Sequence, residues 1–268
     1  MTDHRRSVHA LALFASVAFL TPGAFAQAFD SVRLFGAAPG KDGGRAGLAV
    51  IAGREYQGSD ESRTMAVPLI EYQWANGWFA GTTNGVGYNF SDRQDMQYGA
   101  RLTPAFGRKE SRSQPLRGMG DIDARAEIGG FFNYFVSKEV SLSSSLRYGS
   151  GQNSNGLLAD LGLGYSTELS GNLRLGLGVA ATLANAEYMQ SYFGVTAAQA
   201  ARSGYALYKP GAGLRDVRAN LSLTYRINPN MSATAGISTS MLSGDASDSP
   251  LVRQKSTTSG LLAVAYSF

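Results

Sequence analysis

The groups available for chemistry in this 268-residue chain are few: it has no cysteine, and its two histidines, His4 and His9, lie at the extreme N-terminus. Zinc sites built on imidazole or thiolate, Ser-His-Asp and Cys-His nucleophiles, and disulfide frameworks all need residues that the rest of the sequence does not contain. Carboxylates are what remain. Asp60 is followed by Glu61, and Asp121 stands two residues before Asp123; such pairs have the groups for general acid–base work or for a cation. Asp121-x-Asp123 lacks the other ligands of a calcium loop, so turn-forming and solvated-loop roles are expected for both pairs. The strings LGLGY at 161–165 and LGLGV at 175–179 fail as dinucleotide fingerprints, because their glycines alternate with leucine and no helix follows. No enzymatic activity, cofactor or metal is expected.

The elements that would position these groups begin with an export signal. Arg5 and Arg6 precede the short apolar stretch LALFASVAFL, and Ala24 and Ala26 form a small-x-small site. This is the order of a secretory signal peptide, and the apolar stretch is too short for a spanning helix of about 20 residues. Cleavage is expected after Ala26, with Ala28 as the alternative, and it removes both histidines. The formal charge of +4 is spread along the chain. Its densest basic stretch, GRKESRSQPLRG at 107–118, has no interleaved aromatics, so a solvated loop is expected rather than a nucleic-acid surface.

Beyond residue 26 the pattern is alternation. Leu157, Ala159, Leu161, Leu163 and Tyr165 alternate with Asp160, Gly162, Gly164 and Ser166. Leu173 to Ala181 and Val217 to Tyr225 repeat the pattern, with Arg174, Gly176, Gly178, Arg218, Asn220 and Ser222 on the other face. A strict period of two over ten or more residues gives a strand with one apolar and one polar face. Strands of soluble sandwiches usually run about 5–6 residues, whereas those crossing a membrane need roughly 9–11. The predicted fold is therefore all-β, a transmembrane antiparallel barrel with an apolar face toward lipid and a polar lumen. Tyr134, Tyr165, Tyr225 and Tyr266 fall on the apolar face near strand ends, beside short connections or the C-terminus, where an amphipathic ring prefers the headgroup level. Short turns then belong to the periplasmic side, and the long connections 108–121, 185–212 and 242–257 to the outside.

The closing residues GLLAVAYSF extend the alternation. Leu262, Val264, Tyr266 and Phe268 are expected to face lipid on a last strand that pairs with the first and removes both sheet edges. Tyr266 and Phe268 together resemble the C-terminal signal read by the barrel-assembly machinery. Counting back, strands are expected near 258–268, 231–241, 214–227, 172–184, 157–168, 139–149, 122–136, 96–107, 64–75 and 45–56. The segment 77–90 makes twelve if it is a hairpin turning at Asn84-Gly85. Its five-residue arms reach only about 17 Å, short of an apolar band of about 25 Å, so ten strands is the alternative. Residues 27–44 are expected as a flexible periplasmic lead-in and 45–268 as the barrel. One short helix is expected in an extracellular loop: Thr196 and Gln199 form a capping box, and Gly204 can end the helix. It folds over the barrel mouth or into the lumen, or stays local to its loop.

The blocks YQGSDESR (56–63), LRGMGDIDARAEIGGF (116–131), GLLADLGLGY (156–165), YMQSYFGVTAAQAARSGYALYKPGAGLRDV (188–217) and GDASDSPLVR (244–253) resemble the MipA/OmpV family, the MltA-interacting proteins. The positions that carry the likeness include Gly58, Ser59, Asp60, Arg117, Gly118, Gly120, Asp121, Asp160, Tyr188, Tyr192, Phe193, Gly194 and Asp216. The resemblance implies a barrel in the outer membrane of a Gram-negative bacterium. It also implies a scaffold linking a murein lytic transglycosylase with a penicillin-binding murein synthase in peptidoglycan turnover, and it brings no catalytic residues. The other partners expected are outer-membrane lipid and lipopolysaccharide. A small pore or a surface-interaction barrel is the alternative. Arg125, Arg147, Arg174, Arg218 and Arg226, with Glu127, Asp160, Glu168 and Asp216, are expected on lumen-facing positions, either lining a conduit or forming salt-bridged rungs that fill a closed barrel.

Overall fold

The computed structural model describes residues 40–268, so the expected signal peptide and most of the expected lead-in lie outside the described residues. Twelve strands follow in chain order: β1 (Gly43–Arg54), β2 (Ser62–Gln73), β3 (Trp78–Gly81), β4 (Gly85–Asn89), β5 (Met96–Ala105), β6 (Arg125–Phe135), β7 (Val140–Ser150), β8 (Gly156–Ser170), β9 (Leu173–Ala184), β10 (Gly213–Arg226), β11 (Met231–Leu242) and β12 (Ser256–Ser267). Each pairs antiparallel with its sequence neighbour, and β12 returns to β1, so the sheet is a closed barrel with no free end strand. β1 opens at Gly43, inside the segment expected to be a lead-in. Closure is sealed by reciprocal hydrogen bonds between the backbones of Gly44 and Phe268, 3.0 Å each way.

The alternation of sequence becomes the two faces of the wall. Leu161, Leu163 and Tyr165 on β8, Leu177 and Val179 on β9, and Leu262, Val264 and Tyr266 on β12 are all exposed on the outside. An open sheet edge in hydrocarbon would leave backbone groups unpaired, and the pairing of β12 with β1 removes the two end edges of the sheet. Tyr134, Tyr165, Tyr225 and Tyr266 ring the short-turn end as expected. Further aromatics join them around β3 and β4, where Trp78 meets Tyr88 edge-on at 5.5 Å and Tyr72 meets Trp74 at 4.8 Å.

Twelve is thus the strand number, reached by the hairpin reading of 77–90. The turn spans residues 82–84, one place earlier than the expected Asn84-Gly85, and Gly85 with φ +72° is the first residue of β4. With four and five residues, β3 and β4 are too short to cross the band, and they stop partway up the wall.

The loop end is built differently. The connection 185–212 carries α1 (Ala186–Phe193) and α2 (Ala197–Ser203), and 243–255 carries α3 (Gly244–Ser247). The expected helix is α2. Its Thr196–Gln199 capping box is fully formed, and Gly204 closes it in the left-handed region. The helices α1 and α3 were not foreseen from sequence.

Candidate functional site

Inside the loop half of the barrel, charged side chains from β6, β7, β8 and β10 meet, with Thr182 of β9 among them. Glu127 on β6 accepts from Arg147 on β7 at 3.2 Å, and Arg147 also donates to Asp160 on β8 at 2.8 Å. The second oxygen of Asp160 accepts from Thr182 on β9 at 2.6 Å and from Arg218 on β10 at 3.3 Å. Arg218 lies 3.5 Å from Asp216, which Arg215 grips at 2.5 Å. Arg215 then donates to the Tyr188 hydroxyl at 2.9 Å. Three guanidinium groups face three carboxylates, and none of the six side chains is more than 13 % exposed. Burial of charge is tolerated here because every member has an opposite partner.

Alternation explains most of this ladder and also why one rung escaped notice. Inward-facing positions recur every second residue, which puts Asp216 and Arg218 in the lumen and sends Arg215 outward. A register shift between Leu214 and Asp216 in the β9–β10 pairing breaks the period, and Arg215 turns in, fully buried. Such a bulge re-aims one side chain. Four other expected lumen charges, Arg125, Arg174, Glu168 and Arg226, lie outside the ladder, Arg226 exposed at the short-turn end. Arg125 bonds Ser154 and the Gln152 carbonyl at the loop end, while Arg174 pairs with the exposed Glu168 at the short-turn end.

Above the ladder the long loops form a cross-linked lid. Asn185 caps α1, and the helix packs Tyr188, Met189 and Phe193 against Leu158, Leu242 and Ala246. Tyr188 stacks on Tyr192 at 4.5 Å. The Phe193 carbonyl accepts from Ser249 at 2.6 Å, joining the two helical loops. Gly194 follows where a Cβ would strike the Gln190 side chain at 2.1 Å. On α2, Gln199 reaches past its capping role and donates to the Met119 carbonyl at 2.6 Å. Arg108 donates to the Tyr192 carbonyl at 2.7 Å. Burial holds its guanidinium down to about 10 and pushes the phenols of Tyr188 and Tyr192 up.

The remaining motif positions are lid fittings. The Gly58 carbonyl accepts from the amides of Arg253 and Gln254 at 2.7 and 3.0 Å, and Gly58 has φ +89°. Ser59 is fully buried and caps the amide of Glu61, and the Asp60 carbonyl accepts from Arg54. Glu110 accepts from the amides of Gly118 and Gly120 at 3.0 and 2.8 Å, and the Gly118 carbonyl accepts from Arg202 on α2. Asp121 accepts from the Glu110 amide and, with Asp123, binds Lys109 at 3.0 Å. Asp121 and Asp123 are thus engaged in an ion-paired loop, and Arg117 stays exposed on its rim. Tyr56 donates to the Leu251 carbonyl at 2.8 Å, and burial raises its phenol to about 12. The structure therefore gathers the motif positions into one lid and ladder, while Tyr266 and Phe268 lie at the opposite end on the closing seam. Sequence reasoning missed Tyr56, Arg108 and Arg215; Tyr56 opens the first motif block, the only signal that pointed to it.

Below the ladder, toward the short turns, lies a vestibule lined by Gly164, Ser166, Gly176, Gly178, Asn220 and Ser222.

Among solved structures, the chain is similar to a NanC porin (TM-score 0.46, 11 % identity, covering 82 % of this chain and 98 % of that one). It is similar also to a KdgM porin crystallised with oligogalacturonate (TM-score 0.44, 10 % identity, 84 % and 99 % covered). Nothing about transport follows from likenesses this distant. In sequence it is 27 % identical over 233 residues to the MltA-interacting protein of Escherichia coli (strain K12), covering 86 % of this chain and 91 % of that one, and equally to its counterpart in Shigella flexneri. The family model described as MltA-interacting protein MipA matches residues 46–268, from the first strand to the last residue, and the chain belongs to that family.

Proposed function

We propose that this chain is a non-enzymatic scaffold in the outer membrane of a Gram-negative bacterium. On this reading it holds a murein lytic transglycosylase, and through it a penicillin-binding murein synthase, at its periplasmic face during peptidoglycan turnover. The observation that carries the reading is a six-charge ladder along the lumen wall from β6 to β10, beneath a lid tied down from four loops, an arrangement suited to rigidity rather than to flow. The names of the curated relatives supply the partner class. The periplasmic rim offers a concave patch between the turns at 171–172 and 227–230, lined by Glu168, Arg174, Arg226, Asn228 and Asn230, which gives short turns a surface on which a partner can rest.

A gated pore is the second reading, favoured by the open vestibule below the ladder. Crosslinking of the tagged protein in intact envelopes, followed by identification of bound murein enzymes, tests the first. Enrichment of a lytic transglycosylase, reduced by Arg226→Glu, supports it. Absence of any murein enzyme, together with steady conductance in planar bilayers, would transfer the argument to the pore.

A further inference from the structure

The barrel wall is incomplete beside β2. Only Glu71, Tyr72 and Gln73 of β2 pair with β3, and only Gly99 to Leu102 of β5 pair with β4. Beyond the tip of the β3–β4 hairpin, residues 62–69 of β2 and 103–105 of β5 have a neighbouring strand on one side alone, β1 and β6 respectively. Neighbouring strands lie about 4.8 Å apart, so the two missing strand positions separate β2 from β5 by about 14 Å at the hairpin tip. The gap opens onto the apolar exterior. Pro68 and Ala66 sit opposite Leu48 and Val50, and these two, with Leu102 on the other edge, are exposed apolar residues.

Both edges are adapted to facing no strand. Ile70 directs its C=O and its N–H to Thr82, so the even-numbered residues of β2 address the gap. The Tyr98 carbonyl accepts from Phe90, so the even-numbered residues of β5 do likewise. Pro68 and Pro104 are both even, and each removes a donor from an edge where it would stand unpaired. The odd residues of β2 turn Met65, Val67 and Leu69 inward, where with Ala49 and Ile51 of β1 they make an apolar lumen wall, unlike the charged wall across from it. Thr64 and Ala66 keep N–H groups that have no partner among the described residues, and such donors are costly in hydrocarbon.

We propose that the gap between β2 and β5 is a lateral binding site for one acyl chain of an outer-leaflet ester lipid, which enters from the bilayer and lies against Met65, Val67 and Leu69. The chemistry matches at three levels. A methylene chain suits the three apolar side chains, and ester carbonyl oxygens accept from Thr64 and Ala66. At the extracellular end a pocket lined from both sides of the gap, by Tyr56 and Gln57 and by Phe106 and Lys109, gives a polar headgroup its outlet to water.

The test uses single-tryptophan reporters. The only two tryptophans, Trp74 and Trp78, are replaced by Phe, and reporters are placed at Val67→Trp and, separately, Met65→Trp. Leu48→Trp is the outward reference, and Ser143→Trp, on a strand paired on both sides, is the inward one. Each full-length protein that retains heat-modifiable migration is reconstituted into vesicles of phosphatidylcholine brominated on its acyl chains. The expected result is quenching at 67 and 65 nearly as strong as at 48 and several-fold stronger than at 143. Quenching at both gap reporters no stronger than at 143 overturns the site. Because the readout is lipid contact alone, it is independent of any murein partner.

Discussion

Asp160 on β8 takes a hydrogen bond from Arg147 on β7 at 2.8 Å, and its other oxygen takes one from Thr182 on β9 and one from Arg218 on β10. One carboxylate therefore ties four consecutive strands along the lumen wall. Removing it leaves two buried guanidinium groups facing each other without their shared counter-charge. Asp160→Ala is expected to cost about 3–5 kcal/mol, the range for breaking a buried pair from one side. Glu168→Ala removes a pair of the same composition, with Arg174, at the exposed rim, and should cost less than about 1 kcal/mol. Urea unfolding of the two variants in the same bilayer, followed by tryptophan fluorescence, checks the contrast.

Barrel closure depends on a backbone approach that only glycine permits. A Cβ on Gly47 of β1 would lie 2.1 Å from the Val264 carbonyl oxygen of β12, whereas one on Gly260 of β12 meets nothing within 4 Å. Both residues belong to the β1–β12 seam. Gly47→Ala should reduce the fraction of protein that shows heat-modifiable migration after refolding. Gly260→Ala should fold like the parent chain, and equal yields for the two would remove the close approach as the reason for glycine at 47.

How far these features could be seen in sequence follows from their periodicity. Ten long strands were legible within one to three residues at each end, because lipid outside and a polar lumen inside impose a period of two from Gly43 to Ser267. The hairpin was harder, since four or five residues are too few to set a period, and its turn fell one residue from the expected place. Asp160, Asp216 and Arg218 were legible as lumen charges. Arg215 was not, because the bulge that turns it inward depends on pairing with β9, which a single strand's pattern does not encode. The lid motifs were visible as blocks without a role: Glu110 holding Gly118 and Gly120, or Gly58 holding Arg253, joins residues whose spacing carries no repeat.

The lid should come apart at α2 first. Thr196→Ala removes the oxygen that caps the Gln199 amide at 3.3 Å, a loss of about 1 kcal/mol, and is expected to speed amide exchange in 197–203 alone. Gln199→Ala removes the other half of the box and also the 2.6 Å bond to Met119. Faster exchange should then spread to the 106–124 loop. Hydrogen exchange read by mass spectrometry separates the local effect from the spreading one.

Alkaline pH should loosen the lid through Tyr56. Its phenol donates to the Leu251 carbonyl, and burial raises its folded pKa to about 12 against an ordinary 10.0. Between these values the folded lid holds a proton that the unfolded chain has released, so this contribution is whole below pH 10 and is lost as pH rises through 12. Arg108 acts in the opposite direction. Its folded pKa of about 10 lies below the ordinary 12.5, so the same rise in pH favours the folded lid at that residue. The buried phenols of Tyr188 and Tyr192, both raised, share the sign of Tyr56. Comparison with Tyr56→Phe removes these common contributions. Limited proteolysis of the loops by an alkaline-active protease should become faster in the parent chain as pH climbs from 10 to 12. The Phe variant, already cut faster at pH 9 for want of the hydroxyl, should change less over that window. A parent and variant that respond in parallel would mean that the Tyr56–Leu251 bond does not hold the first loop to the last.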